Sequence, residues 1–129
     1  MEKYLLIIGI AILAFILYRK FTVTTDENIK NVNAQEAYEL LEKNKNVIVI
    51  DVRTKQEYSS GHIPGSKSIP VGEILSRISE IEKYKDSPVL IHCASGSRSA
   101  SAVRILSKNK FNNIYHMNRG LVGWKYKLK

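Results

Sequence analysis

The sequence predicts a three-layer α/β/α domain with an open, mainly parallel sheet, preceded by an N-terminal transmembrane helix. Three observations carry this expectation. From Ile29 onward, short apolar runs alternate with helical patterns, as in stacked βα units. The runs that begin at Val47 and Val89 are continuously apolar, as strands covered on both faces must be. Residues 4–18 form an uncharged apolar stretch opened by Lys3 and closed by Arg19 and Lys20.

As a helix that stretch reaches only about 22 Å, against about 30 Å of bilayer hydrocarbon. Length alone fits the core of a signal peptide. The residues that follow, Arg19, Lys20, Phe21, Thr22, Val23 and Thr24, offer no Ala-x-Ala-like cleavage site and put positive charge where a mature chain would start. The expectation is therefore a short uncleaved anchor, with Lys3, Arg19 and Lys20 snorkelling and Phe21 and Val23 extending the apolar surface. Arg19, Lys20 and Lys30 on the C-terminal side outweigh Lys3 and the amino terminus. The positive-inside rule thus makes this a single-pass membrane protein with a cytoplasmic domain, by a small margin over the extracytoplasmic alternative. The division expected is an anchor at 1–21, a polar linker at 22–28 and one folded domain at 29–129.

Within the domain, Asn33 and Glu36 have capping-box spacing before Ala37, Leu40 and Leu41, which places a helix at 34–43. A buried strand follows at 47–51. Thr54 and Glu57 repeat the capping pattern for a short helix, residues 61–65 make a turn, and 68–70 a short strand. Ile74, Leu75, Ile78 and Ile81 have the spacing of an amphipathic helix stopped before Pro88. A strand at 89–91 and a helix at 99–106 come next.

Composition excludes several classes of function. With 129 residues, 44% hydrophobic and 25% charged, the chain suits one domain of about 100 residues and an appendage. Its single cysteine rules out an intrachain disulfide framework. His62, His92 and His116 lie apart, outside any metal-ligand spacing, so no metal site is expected and His116 reads as structural. No Gly-rich nucleotide fingerprint is present, and no cofactor is expected. The net charge is +8, and no Asp or Glu follows Asp86, whereas Arg98, Arg104, Lys108, Lys110, Arg119, Lys125, Lys127 and Lys129 are all basic. Such a field concentrates anionic ligands; a solvated basic face, or one resting on anionic lipid, accounts for it equally. Without interleaved aromatics, nucleic acid is not an expected partner.

The chemistry concentrates at Cys93. The strand at 89–91 leads through His92 to this cysteine, and Ala94, Ser95, Gly96 and Ser97 separate it from Arg98 and Ser99. Small residues at a strand's carboxyl end let successive backbone N–H groups turn inward at a helix N-terminus and form a nest for an anion. A thiol held there beside an Arg has its pKa lowered from about 8.5 to roughly 3.5–7.5. The alternative is a small buried hydrophobe. Asp51 also falls at a strand's carboxyl end, where open α/β sheets bind ligands; it is equally suited to fixing backbone N–H groups, and Arg53 to pairing with Glu57 or another acid. His62 belongs to a turn first, and Trp124 reads as a core plug.

The segment from Cys93 to Ser99 resembles the active-site loop of the rhodanese family: Cys, two residues, Gly, one residue, Arg, then Ser or Thr. Two further stretches agree. Val49, Ile50, Asp51, Val52 and Arg53, with Glu57, Tyr58, Gly61, His62, Ile63, Pro64, Gly65, Ser66, Ile69 and Pro70, resemble the family's upstream signature. Phe111, Asn113, Ile114, Tyr115, Gly120, Leu121, Gly123 and Trp124 resemble its closing segment. The likeness spans roughly residues 28–127. It implies a single-domain sulfurtransferase in which the Cys93 thiolate takes a sulfane sulfur from a small anionic donor such as thiosulfate. Cys93 then carries a persulfide, which passes its sulfur to cyanide, a thiol or a sulfur-accepting protein. Ala94, Ser95, Gly96, Ser97, Arg98 and Ser99 would bind the anion and persulfide, with Asp51, Arg53 and His62 in support.

Departures from the family pattern limit the substrate. Ala94 and Ser95 stand where members that handle thiosulfate well often carry Arg or Lys. Lys110 and Arg119 occupy usual Gly positions, at a cost of about 1 kcal/mol each if left-handed. Two other readings stay open. A membrane-tethered persulfide carrier or binding module needs the same loop. A Cys-dependent phosphatase or arsenate reductase would share His92 and Cys93, but its loop needs five residues between Cys and Arg where this one has four.

Overall fold

The computed structural model describes residues 1–22 and 26–129; residues 23–25 of the expected linker lie outside them. Five parallel strands form one sheet in the order β1-β5-β4-β2-β3. These are β1 (Ile29–Val32), β2 (Ile48–Asp51), β3 (Lys67–Ser68), β4 (Val89–His92) and β5 (Ile114–Met117). The two central strands are the most buried, β4 along its whole length and β2 at all but its first residue. Their uninterrupted apolar sequence follows from that position.

Helices cover both faces. On one, α4 (Ser97–Lys108) buries Ala102, Val103 and Leu106 against Ile50, Val52, Ile91 and Ile114, joined by Ile74, Ile81 and Phe111. On the other, Ala37 of α2 (Ala34–Lys43) packs with Val49, Leu90, Met117 and Ile63. The Asn33 and Glu36 capping box forms, and Thr54 with Glu57 forms a second one that starts α3 (Lys55–Ser59). Each satisfies two N–H groups that a helix start leaves without partners. Trp124 is only half-buried against the second core, edge-on to Tyr38 and Tyr126.

The segment expected to be one amphipathic helix is instead a chain of 3₁₀ turns, at Val71–Glu73, Ile78–Glu80 and Glu82–Tyr84. Its core positions survive, since Ile74 and Ile81 are fully buried. The β-branched Ile74, Ile78 and Ile81 have low helix propensity, and the Ser76 hydroxyl donates to the Glu73 carbonyl oxygen at 3.1 Å; both weaken a regular helix here. Helix α4 begins two residues earlier and ends two later than the spacing predicted. Lys110 has φ 74, the cost foreseen for a non-Gly residue, whereas Arg119 has φ −96 and incurs none.

The N-terminal helix α1 (Glu2–Thr22) carries its charged ends within the helix. At about 1.5 Å per residue its length is about 31 Å, comparable with the hydrocarbon core. Mean hydropathy over Glu2–Phe21 is 2.0 and none of this stretch is buried, so it is long and apolar enough to cross a membrane. Beyond the undescribed residues, the Ser107 hydroxyl of α4 donates to Asp26 and the Asn28 amide donates to Ser107, which tie the entry of the chain to the domain.

Candidate active site

The chain leaves β2 toward the edge strand β3 and leaves β4 toward β5 on the opposite side. Their outgoing loops part above Asp51 and Cys93, which makes a crevice at the carboxyl ends of the strands. Cys93 leaves β4 there and is fully buried.

The loop closes on the sulfur because Gly96 adopts φ 108, which only glycine enters without strain. A Cβ at Gly96 would collide with the Asn118 carbonyl, and one at Gly120, with φ 66, would meet the Cys93 and Ala94 carbonyl oxygens. The turn after β5 therefore forms the floor. From it the N–H of Leu121 donates to the Cys93 carbonyl at 3.1 Å and that of Val122 to the Ala94 carbonyl at 3.2 Å. With both carbonyls engaged below, the loop's N–H groups face the sulfur.

Gly96 N–H donates to Cys93 Sγ at 3.0 Å, and the Ser99 hydroxyl lies 3.3 Å from it. Ser97, Arg98 and Ser99 make the first turn of α4, whose N–H groups have no partner within the helix. Burial pushes the Cys93 thiol up. The Ser99 hydroxyl and the N–H groups of Ser99, Gly96 and Ser95 outweigh it and hold the thiol below its ordinary value. Such a pocket suits an anionic sulfur. Ser99 Oγ also donates to the Gly96 carbonyl at 3.1 Å and lies 2.7 Å from His116 Nε2.

Arg98 makes its hydrogen bonds to Glu57 and not to the sulfur. Its guanidinium is bidentate to Glu57, at 2.6 and 3.0 Å, and so ties the first turn of α4 to α3 across the crevice. That pairing, with Thr54 capping, holds the Glu57 carboxyl down at about 2. Of the two roles open to Arg98, bracing the loop or drawing in the donor's charge, the geometry favours bracing.

Asp51 and Arg53 form a buried ion pair. The guanidinium binds both carboxylate oxygens through Nε and Nη2, the shortest contact being 2.7 Å, and Nη2 also donates to the Gly61 carbonyl at 2.7 Å. Arg53 thus pairs with Asp51 and not with Glu57. His92 Nδ1 faces the Cys93 carbonyl oxygen at 3.2 Å, and its Nε2 stands 3.7 Å from Asp51 without a hydrogen-bond partner. Burial pushes the His92 ring down against the raising effect of Asp51, and it stays neutral at neutral pH. His62 stacks on Tyr58 at 3.8 Å and donates from Nδ1 to the Tyr58 carbonyl at 2.9 Å. Its backbone pairs with Lys129. No hydrogen bond of His62 among the described residues reaches the Cys93 loop.

The structure therefore gathers Ser95, Gly96 and Ser99 around Cys93, uses Ala94 and Arg98 to fix the loop, and sets Asp51, Arg53 and His62 to one side. Sequence reasoning missed Glu57 as the partner of Arg98, and Gly120 and His116 as neighbours of the loop. Strand alternation carried a signal for His116. It pairs in register with Ile91, and Ile91 shares its face of the sheet with Cys93. Among the described residues no cluster of His, Cys, Asp or Glu could hold a metal ion.

Comparison with known proteins agrees with this geometry. The family model for the rhodanese-like domain matches residues 33–127. The thiosulfate sulfurtransferase GlpE of Pseudoalteromonas translucida is 32% identical over 96 residues, 74% of this chain and 89% of that one. The uncharacterized protein YqhL of Bacillus subtilis is 32% identical over 124 residues, 96% of this chain and 95% of its own. The crystal structure of a rhodanese-like domain protein from Staphylococcus aureus superposes with a TM-score of 0.70 at 31% identity, covering 78% of this chain and 96% of that one. With its sheet order, its Cys93 loop and these relatives in agreement, the chain belongs to the rhodanese-like domain family.

Proposed function

We propose that this protein is a sulfurtransferase, held at a membrane by α1 with its domain on the cytoplasmic side, that moves a sulfane sulfur through a persulfide on Cys93. The observation that carries the reading is the buried Cys93 sulfur, ringed by the N–H groups of Ser95, Gly96 and Ser99 and by the Ser99 hydroxyl. Cys93 S⁻ attacks the outer sulfur of a donor such as thiosulfate. The donor's S–S bond breaks, its electron pair leaves with sulfite, and Cys93–S–S⁻ remains. An acceptor thiolate or cyanide then attacks the outer sulfur, and Cys93 S⁻ leaves with the pair from the second S–S bond. No outside oxidant enters the cycle. The backbone N–H donors already aimed into the pocket stabilise each anion without moving.

Ser97 and Arg98 start α4 and clamp it, Asp51 and Arg53 hold the wall beside the crevice, and His62 orders the turn that precedes β3. The name of the GlpE relative agrees with thiosulfate as donor. A second reading, a persulfide carrier serving a protein partner, is favoured by one observation. The loop side chains Ala94 and Ser95 are uncharged, and the Arg98 charge is spent on Glu57, so the loop itself offers no unpaired cation to a dianion. That same pairing, with the four-residue loop, weighs against phosphate monoester chemistry.

Mass spectrometry of the full-length chain after thiosulfate tests the proposal. A gain of one sulfur, about 32 Da, removed by cyanide and abolished in Cys93→Ser, is the expected result. No adduct with thiosulfate, polysulfide or a low-molecular-weight persulfide would sink it. Loading from a persulfide but not from thiosulfate would select the carrier. Protease added to intact cells should spare the domain, and its digestion there would reverse the orientation.

A further inference from the structure

Ser99 serves more groups than one hydroxyl can satisfy without help. Its oxygen lies 3.3 Å from Cys93 Sγ, 3.1 Å from the Gly96 carbonyl and 2.7 Å from His116 Nε2. The hydroxyl has one proton and two lone pairs. The Gly96 carbonyl only accepts, a thiolate only accepts, and a thiol can donate.

Two protonation states of Cys93 fix the assignment. As a thiol, S–H donates to Ser99 Oγ and Ser99 O–H donates to the Gly96 carbonyl. As a thiolate, the sulfur needs the Ser99 proton, so the hydroxyl must rotate from Gly96 onto Sγ. At 2.7 Å the imidazole nitrogen would then face a bare oxygen lone pair, a repulsive contact unless Nε2 carries hydrogen. With Nε2–H both states are satisfied, and a single hydroxyl rotation interconverts them. With Nδ1–H instead, the serine proton would be drawn to Nε2 and withheld from the sulfur.

We propose that His116 is a positioning residue for the Cys93 thiolate: its Nε2–H holds the Ser99 oxygen and leaves the one hydroxyl proton free to turn onto the sulfur. This rests on Cys93 as the nucleophile of the proposed transfer. The proton that leaves the thiol goes to solvent, and His116 keeps its own. Burial pushes the His116 ring below its ordinary value, so at neutral pH it is an uncharged donor and not a competing cation.

The surroundings leave this pair largely to itself. In register with His116 stand Asn31 on β1 and Ile91 on β4. Burial is the one cause that moves the His116 ring, no charged group is among the causes that move the Cys93 thiol, and Arg98 on α4 interacts with the thiolate while Glu57 of α3 holds its guanidinium. His92 faces the other way, toward Asp51.

Two measurements on the full-length chain test the inference. Nitrogen-15 spectra of the imidazoles should show His116, identified by its loss in His116→Gln, protonated at Nε2 both below and above the Cys93 midpoint; a bare Nε2 overturns it. With one cysteine in the chain, thiolate absorbance against a Cys93→Ser blank reads that midpoint directly. In His116→Leu the midpoint should rise by about one pH unit, a tenfold loss of thiolate below it. His116→Gln, whose amide places an N–H near the position of Nε2, should stay near wild type. An unmoved midpoint in His116→Leu, or an equal rise in both variants, overturns the assignment. Neither measurement needs a sulfur donor, so a wild type that never gains sulfur would defeat the transfer reading and leave this one standing. If His116→Leu does not fold, the wild-type spectrum still decides.

Discussion

Two polar clusters sit at the same edge of the sheet, on opposite faces, and they use their hydrogen bonds differently. On the face covered by α4, Cys93, Ser99 and His116 share one mobile hydroxyl proton, and backbone N–H groups around the sulfur favour its anion. On the other face, Asp51 and Arg53 neutralise one another, and the guanidinium also donates to the Gly61 carbonyl. The first cluster is arranged for a charge that appears during reaction. The second has already paired its charges. The two clusters therefore do unlike work: one holds donors ready for a charge, and the other has paired the charges it already carries.

Substitutions can break this contrast. The largest effect is chemical: Cys93→Ser should lower sulfur transfer by at least about 10³-fold while the melting curve moves little, measured by turnover and calorimetry on the same sample. A comparable loss of stability would mean that the sulfur belongs to the scaffold after all. The second effect lies on the closed face. Arg53→Met strands the buried Asp51 carboxylate and should cost about 3–5 kcal/mol in denaturant unfolding. A near-neutral outcome would show that water reaches the pair and that the two faces differ less than their geometry says.

A smaller effect concerns the clamp between them. Glu57→Gln should cost only about 1 kcal/mol, because Arg98 and Glu57 are roughly one-third exposed. Its pH dependence has a definite sign. The Glu57 carboxyl is depressed from 4.5 to about 2, so the pair stabilises the fold above about pH 4.5 and loses that contribution as pH falls toward 2. The stability gap between wild type and Glu57→Gln should therefore close over that window, and a gap constant with pH would assign it to the α3 cap alone. Smallest is Lys110→Gly, which relieves the left-handed residue at φ 74 and should stabilise by about 0.5–1 kcal/mol. It should leave the Cys93 midpoint in place.

Much of the fold was legible in the sequence because local rules and burial agree. The capping boxes at Asn33 and Thr54 and the apolar runs of β2 and β4 each point to one structure, and the structure has it. The 3₁₀ segment is not legible because Ile74, Ile78 and Ile81 bury one face in an α-helix and in successive 3₁₀ turns alike, so spacing alone does not separate the two. At the site, the Cys93 loop could be read from its small residues and the position of Arg98. Glu57 could not, and for His116 strand alternation gives the face of the sheet but not the partner. They approach the loop from α3 and β5, 41 and 17 residues from their partners, and only the strand order brings them there. The Asp51 and Arg53 pairing, two residues apart, was within reach of the sequence but competed with Glu57 on equal terms.

The solitary thiol has a further consequence, in the currency of oxidation. A cysteine oxidised to sulfenic acid is usually rescued by a neighbouring thiol that closes a disulfide, and this chain has no second one. Rescue has to come from a thiol outside the chain, or the sulfur advances to the irreversible sulfinic acid. The complete burial of Cys93 then limits which molecules arrive first. The loop selects for small or slender reactants, and the narrowness that would shape the proposed sulfur transfer also sets how fast peroxide reaches the thiol.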